Sequence, residues 1–435
     1  MKLNQVINNV KWIVVCKVLQ ALLQMAVGML CARYLGPSNY GLINYAASIV
    51  SFALPIMRLG LNATLVHELI ENPEKEGQIM GTSLAMNLLS SLACMAGVFC
   101  FVSVANRGDP TTIIVCMLYS VSLIFGAVEM IQYWYQYKLM AKYASLIMLA
   151  SYIIVSAYKL FLLVTSKSVF WFAMSNTLDY GIIGVSLTII FLWKGNKLSF
   201  SMSTARKMLG KSKHYILSAM MVTIFQSTDH IMLTTIIGNS ENGIYSAAST
   251  CATMTLFVYL GIIDSYRPLI LACKKEDNSD YERNLARLLG VIVYLSAGQA
   301  VVFSLLAKLI VYILYGSAYA TSVPVLRVLT WYFVFSCMGS VRNVWILAEQ
   351  KQQYLWGINL SGALINVVLN AVLIPGMGAC GAAIASMLTQ FVTNFALCFV
   401  FKPIRDFVAI MKQGLNPLFV YGETKLLIHS MRKRK

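Results

Sequence analysis

Long apolar runs separated by short polar breaks dominate the chain from residue 12 to residue 401. Twelve runs can be delimited, at 12–32, 41–64, 81–104, 111–136, 144–165, 169–193, 214–237, 243–272, 286–315, 322–347, 354–374 and 379–401. Each has about 20 residues or more, enough at ~1.5 Å rise per residue to cross a hydrocarbon core of roughly 30 Å. A β-barrel would instead alternate polar and apolar positions. The pattern therefore predicts an all-α polytopic membrane protein with twelve transmembrane helices.

The polar breaks carry the orientation. With the N-terminus inside, alternate breaks hold Lys75, then Lys138 and Lys142, then the cluster from Lys194 to Lys213, then Lys274, Lys275, Arg283 and Arg287, and then Lys351. The tail adds Lys402, Arg405, Lys412, Lys425 and the run Arg432 to Lys435. The opposite breaks are very short and hold Arg33, Arg107, Lys167 and Lys308. Basic residues favour the cytoplasmic side, so both termini are expected there. The longest break, 194–213, reads as a linker between an N-lobe (1–193, helices 1–6) and a C-lobe (214–401, helices 7–12), followed by a basic tail (402–435). The apolar residues of that tail, Phe407, Ile410 and Leu418 among them, read as an interfacial segment or a topological anchor.

The halves echo each other. Leu35-Gly36-Pro37-Ser38-Asn39-Tyr40-Gly41 aligns with Ile237-Gly238-Asn239-Ser240-Glu241-Asn242-Gly243, and both lead into Ala-Ala-Ser after a one-residue gap. An even number of helices per half relates the halves by an axis along the membrane normal and places substrate between them near the midplane.

Composition narrows the classes further. Charged residues make up 12% and hydrophobic residues 58%, against about 25% charged in soluble domains. The net charge of +17 does not indicate nucleic acid, because most of the Lys and Arg lie where membrane topology places them. Ten cysteines, none in a CxxC pair, act as small hydrophobic filler. The segment from Trp12 is too long for a cleavable signal. No Walker sequence and no His/Cys metal cluster is present, so no cofactor is expected. Energy then comes from an ion gradient, the membrane potential or the substrate's own gradient.

The candidate chemistry lies in the ionisable residues within the apolar runs. The cations are Lys17, Arg58, Lys159, Arg267, Arg327 and Arg342; the anions are Glu129, Asp179, Asp229 and Asp264, with His230 beside Asp229. A cation in hydrocarbon costs at least ~2.5–3.5 kcal/mol, and such residues pair or line a path. Helix direction places Lys17, Arg58, Arg267 and Arg342 in the inner third, and Lys159 and Arg327 towards outer helix ends. Lys17, Arg58 and Arg267, with Arg342 and Lys159, are the candidate contacts for an anionic group such as a diphosphate, which suits Arg bidentately and Lys as a point charge. Snorkelling is the competing reading for Lys159, Arg327 and Arg342. Asp264 precedes Arg267 by three residues, so a local ion pair competes there, and Pro268 kinks the helix. Asp229, His230, Asp264, Asp179 and Glu129 are the candidate coupling-ion or proton sites, with a satisfied buried polar pair as the alternative at Asp229–His230.

Several stretches resemble Wzx-type polysaccharide flippases of the multidrug/oligosaccharidyl-lipid/polysaccharide exporter (MOP) superfamily. They are Ala32-Arg33-Tyr34-Leu35-Gly36-Pro37 with Tyr40-Gly41, the turn at 237–249, Leu314-Tyr315-Gly316-Ser317-Ala318-Tyr319 with Pro324 to Leu329, and Gly376-Met377-Gly378-Ala379-Cys380-Gly381. The resemblance implies a MATE-like fold and no enzymatic activity. Its implied substrate is an undecaprenyl-diphosphate-linked repeat unit for O-antigen or capsule, moved by alternating access in the bacterial inner membrane. Membrane lipids, a polysaccharide polymerase and a chain-length regulator are the implied partners. Two other functions stay open. A cation-coupled multidrug exporter of the same superfamily favours an acidic cavity, whereas these inner cations read as positive. A membrane polymerase needs a sizeable outer loop and paired outer carboxylates, which the short outer breaks do not offer.

Overall fold

The structure is a computed structural model that describes residues 2–106, 108–194, 197–276 and 280–423. Arg107, Lys425 and the basic run Arg432 to Lys435 lie outside the described residues. No strand occurs among the described residues. In chain order the helices are α1 (Lys2–Met57), α2 (Leu61–Glu71), α3 (Glu76–Ala105), α4 (Pro110–Ser120), α5 (Ser122–Glu129), α6 (Gln132–Tyr137), α7 (Ala141–Val164), α8 (Val169–Trp193), α9 (Met202–Ile236), α10 (Asn239–Thr253), α11 (Leu256–Lys275), α12 (Asp280–Leu314), α13 (Ser322–Ala348), α14 (Leu355–Phe391), α15 (Leu397–Val400) and α16 (Phe407–Gly414). The helical, multi-pass membrane architecture read from the apolar runs is the one observed. Among the described residues nine segments are long and apolar enough to cross a membrane, or ten with the bent pair Tyr215–Met221 and Gln226–Ile236.

Two of those segments, of 43 and 49 residues, are about twice what a bilayer needs. Each contains a glycine in the left-handed region, Gly36 (φ 69°) and Gly378 (φ 56°), where a side chain would be strained. Both segments double back there. Asn366 donates to Ser386 at 3.3 Å, although 20 residues of straight helix span ~30 Å. Gln20 and Ile43 line one cavity, although straight helix would hold them roughly 35 Å apart. At both glycines the sequence predicts two spans joined by a turn.

The chain forms two compact units, Met1–Gly243 and Ile244–Lys435. In the first, α3 runs between two distinct ends. One end gathers the short breaks: Tyr34 donates to the Lys167 carbonyl (3.1 Å), Tyr45 to Asn106 (2.8 Å) and Asn239 to Thr112 (3.5 Å). The other end gathers the basic breaks, with Lys138 on Glu76 (2.6 Å) and Lys207 and Lys211 on buried Glu68. The stretch before α9 is bonded along α3, Ser199 N–H to the Gly77 carbonyl (3.1 Å) and Ser201 N–H to Thr82 (3.1 Å). The Ser201 side chain then caps α9.

At the end of short breaks the two echoing turns cross. The position of a Cβ on Gly41 falls against the Asn239 carbonyl and 2.6 Å from the Gly243 nitrogen; a Cβ on Gly243 would fall against the Pro37 carbonyl, 2.7 Å from its carbon. Gly41 aligns with Gly243 and Pro37 with Asn239, so the contact is reciprocal between equivalent positions. Asn242 reinforces it by donating to the Gly41 carbonyl (2.8 Å).

In the second unit the start of the tail packs inward. Phe407, Ile410 and Met411 share one helical face and join the core containing Trp345 and Leu289. The tail's apolar face is therefore covered by protein rather than lipid, while Leu418 stays exposed. Beyond it Glu423 is clamped by Arg283 (2.8 Å) and Arg287 (2.7 Å) of α12. Burial alone would raise the Glu423 carboxyl, but the two guanidinium groups hold it below its ordinary value. A depressed folded-state pKa stabilises fully above the unfolded value of ~4.3 and is lost as pH falls through the folded value. Protease protection of the tail is expected to hold down to about pH 5 and to fall below about pH 4. Constant protection across that window would show that the clamp does not hold the tail.

Candidate functional site

A cavity of ≈ 370 Å³ lies inside the first unit. Its walls are stripes at helical spacing: Gln20, Gln24, Gly28 and Cys31 from the first leg of α1, Tyr152, Val155 and Lys159 from α7, and Ser175, Asn176, Asp179 and Tyr180 from α8. Tyr40, Tyr119 and Glu129 complete it from the second leg of α1, α4 and α5. Apolar positions on these helices turn to lipid or to the core containing Val27, Tyr45 and Phe172. Several polar positions of these helices converge on this protein-lined space, where they can be solvated.

The cavity's charges are partnered. Asp179 accepts from Ser151 at 2.7 Å and interacts electrostatically with Lys159. Glu129, 8% exposed, lies 3.7 Å from the Arg58 guanidinium, beyond hydrogen-bond reach. Its Oε2 is buried and receives no hydrogen bond. Neither pair is visible as a local spacing, because Arg58 lies in the turn after α1 and Glu129 on α5, while Lys159 and Asp179 lie on α7 and α8.

The other candidate residues are not among those lining this cavity. Lys17 is exposed on the first leg of α1. Arg267 and Asp264, both exposed, form an i,i+3 ion pair at 2.9 Å in the second unit. Arg342, 2% exposed, donates to the Thr393 carbonyl (2.5 Å) in the π-helix Val392–Ala396 and to Asn343 (3.3 Å). Asp229 is buried, and His230 Nδ1 lies 2.7 Å from Asn242 Oδ1, tying it to the crossing of the turns.

Sequence reasoning confined to ionisable groups missed the neutral majority of the lining: Gln20, Gln24, Tyr119, Tyr152, Asn176 and Tyr180. A signal was present. Gln20 and Gln24 are four apart in an apolar run, and Tyr152 and Lys159 are seven apart in another. Amides and phenols on one face of a membrane helix mark a polar path as charges do.

The family model described as polysaccharide biosynthesis protein matches residues 30–324. The capsular polysaccharide biosynthesis protein CapF of Staphylococcus aureus is 19% identical over 412 residues, 92% of this chain and 100% of CapF. Among solved structures, the inward-closed lipid II flippase MurJ has a TM-score of 0.70 at 16% identity, covering 95% of this chain and 92% of MurJ. An inward-facing multidrug resistance transporter of the MATE family and MOP superfamily has a TM-score of 0.69 at 14% identity, covering 90% and 96%. These likenesses show the fold, that of the MOP transporters.

Proposed function

This chain belongs to the polysaccharide biosynthesis protein family, and from that premise we propose that it is a secondary transporter for lipid-linked oligosaccharides. It moves undecaprenyl-diphosphate-linked repeat units from the inner to the outer leaflet of the bacterial cytoplasmic membrane by alternating access. The observation that carries the reading is the polar cavity walled by apolar spans. A hydroxyl-rich headgroup pays heavily for entering hydrocarbon, and such an enclosure removes that penalty.

The cytoplasmic placement of both termini, the lobes 1–193 and 214–401 and the linker 194–213 belong to this proposal. So do the diphosphate contacts Lys17, Arg58, Arg267, Lys159 and Arg342. Arg58 and Arg267 reach a diphosphate by exchanging Glu129 and Asp264 for it. The Arg58–Glu129 pair at 3.7 Å is loose and the Arg267–Asp264 pair is single-contact and exposed, so bidentate phosphate oxygens can compete for both guanidinium groups. Carboxylates released in this way, together with Asp179 and the Asp229–His230 pair, are the proposed sites for a coupling cation or proton. A multidrug exporter is the second reading, favoured by Glu129 and Asp179 in the cavity. Against it, each carboxylate is offset by a cation, Arg58 at 3.7 Å from Glu129 and Lys159 acting electrostatically on Asp179.

A clean deletion followed by locating the lipid-linked repeat unit tests the reading. Single units are expected to accumulate on the cytoplasmic face while surface polymer disappears. Units that reach the outer face unpolymerised would overturn it in favour of a polymerase. Normal polymer with raised drug sensitivity would favour the exporter.

A further inference from the structure

We propose that the cavity of the first unit is a sugar subsite, accepting one uncharged pyranose ring of the transported glycan; the inference rests on the lipid-linked oligosaccharide reading above. Four observations lead there. First, the volume of ≈ 370 Å³ lies in the range of small-molecule sites, ~300–1,000 Å³, and is far larger than a bare ion needs. Second, the charges are partnered. Arg58 stands beside Glu129 and Lys159 interacts with Asp179, so an uncharged ligand can be held without either charge leaving its partner.

Third, the neutral lining suits a ligand that both donates and accepts. Gln24, Asn176, Tyr119, Tyr152 and Tyr180 are among its lining residues, and their amides and hydroxyls both donate and accept. The phenol rings add negative π faces for the slightly positive C–H edges of a pyranose. Fourth, Glu129 has an unmet requirement. Glu129 lines the cavity, Gln132 bonds to its carboxyl, and its Oε2 is buried without a hydrogen-bond donor, while Arg58 stays at 3.7 Å. Leaving a buried carboxylate oxygen without a donor is costly. A sugar hydroxyl supplies the missing donor without adding charge, and its neighbouring hydroxyl reaches the amides.

The test uses the purified full-length chain in lipid nanodiscs and saturation-transfer NMR. The probes are the methyl glycosides of glucose, galactose, mannose and N-acetylglucosamine. At least one is expected to receive saturation, and Asn176→Ala and Glu129→Gln are each expected to weaken its binding roughly tenfold, the usual cost of a lost hydrogen bond to a charged or buried group. Melting curves establish that both variants fold. A second, milder variant, Tyr152→Phe, keeps the ring and removes only the hydroxyl. Its binding is expected to fall by a smaller factor. The proposal is overturned if no probe receives saturation, or if all three folded variants bind as the parent does. The deletion test stands apart from this one: cytoplasmic accumulation of repeat units with no sugar binding removes the subsite and keeps the flippase.

Discussion

Alanine at Gly41 or at Gly243 is expected to abolish surface polymer, with at least a tenfold loss at equal protein level, and to lower the melting temperature by several degrees. The cause is backbone against backbone. A methyl group at Gly41 meets the Asn239 carbonyl and one at Gly243 meets the Pro37 carbonyl. No flexible side chain is present to move aside, so relief requires the turns to separate. Overpacking of this kind typically costs ~1–3 kcal/mol. The separation also breaks the Asn242 bond to the Gly41 carbonyl and disturbs the Asn242–His230 contact. Gly97→Ala is the matched control, because nothing lies within 4 Å of the added methyl on that helix. Wild-type export and melting in both crossing variants would show that the reciprocal contact is dispensable.

Arg58→Gln is expected to eliminate most export and also to lower protein level, because it strands Glu129. Glu129 is 8% exposed, and removing one partner of a buried pair costs up to ~3–5 kcal/mol. The double variant Arg58→Gln with Glu129→Gln separates structure from transport. It is expected to recover protein level, since no lone charge remains, but not export, since the guanidinium that would hold a diphosphate is still missing. Export equal to wild type in the double variant would mean that Arg58 serves Glu129 alone. Arg267→Gln provides the contrast. Its pair with Asp264 is exposed on the protein surface, so the substitution leaves no charge buried in the protein. Protein level is therefore expected to stay normal and any lost export to report on substrate contact. Full surface polymer from a protein lacking both Arg58 and Arg267 would remove the diphosphate assignment.

The turns and the charges differ in how far they could be read ahead of the fold. The motif at 35–41 and its counterpart at 237–243 were visible as a repeat, since a tight turn between two spans imposes small residues locally. That the two turns touch, glycine to carbonyl in both directions, was not visible, because nothing in either heptapeptide encodes the position of the other. Asp264 and Arg267 were readable as a pair because an i,i+3 spacing settles proximity within one helix. Arg58 and Glu129 sit 71 positions apart and were read as separate roles, a diphosphate contact and a coupling site. The tail shows the same division. Its amphipathic spacing was legible, but whether lipid or protein covers Phe407 and Ile410 depends on the neighbouring helices.

The sequence by itself determined that this chain is a helical multi-pass membrane protein, where the chain doubles back, and that polar groups had to be gathered away from lipid. Those conclusions follow from transfer free energy and backbone hydrogen bonding, which accumulate residue by residue along each span. The tertiary structure alone decided which polar groups meet. It joined stripes from five helices into a cavity lined by both acids and a lysine, left one oxygen of Glu129 without a donor, tied Arg342 to the Thr393 carbonyl and paired Arg267 with Asp264. The physical reason is that hydrophobicity is non-directional and local, whereas hydrogen bonds and ion pairs act over a few ångströms and depend on which helix faces pack together.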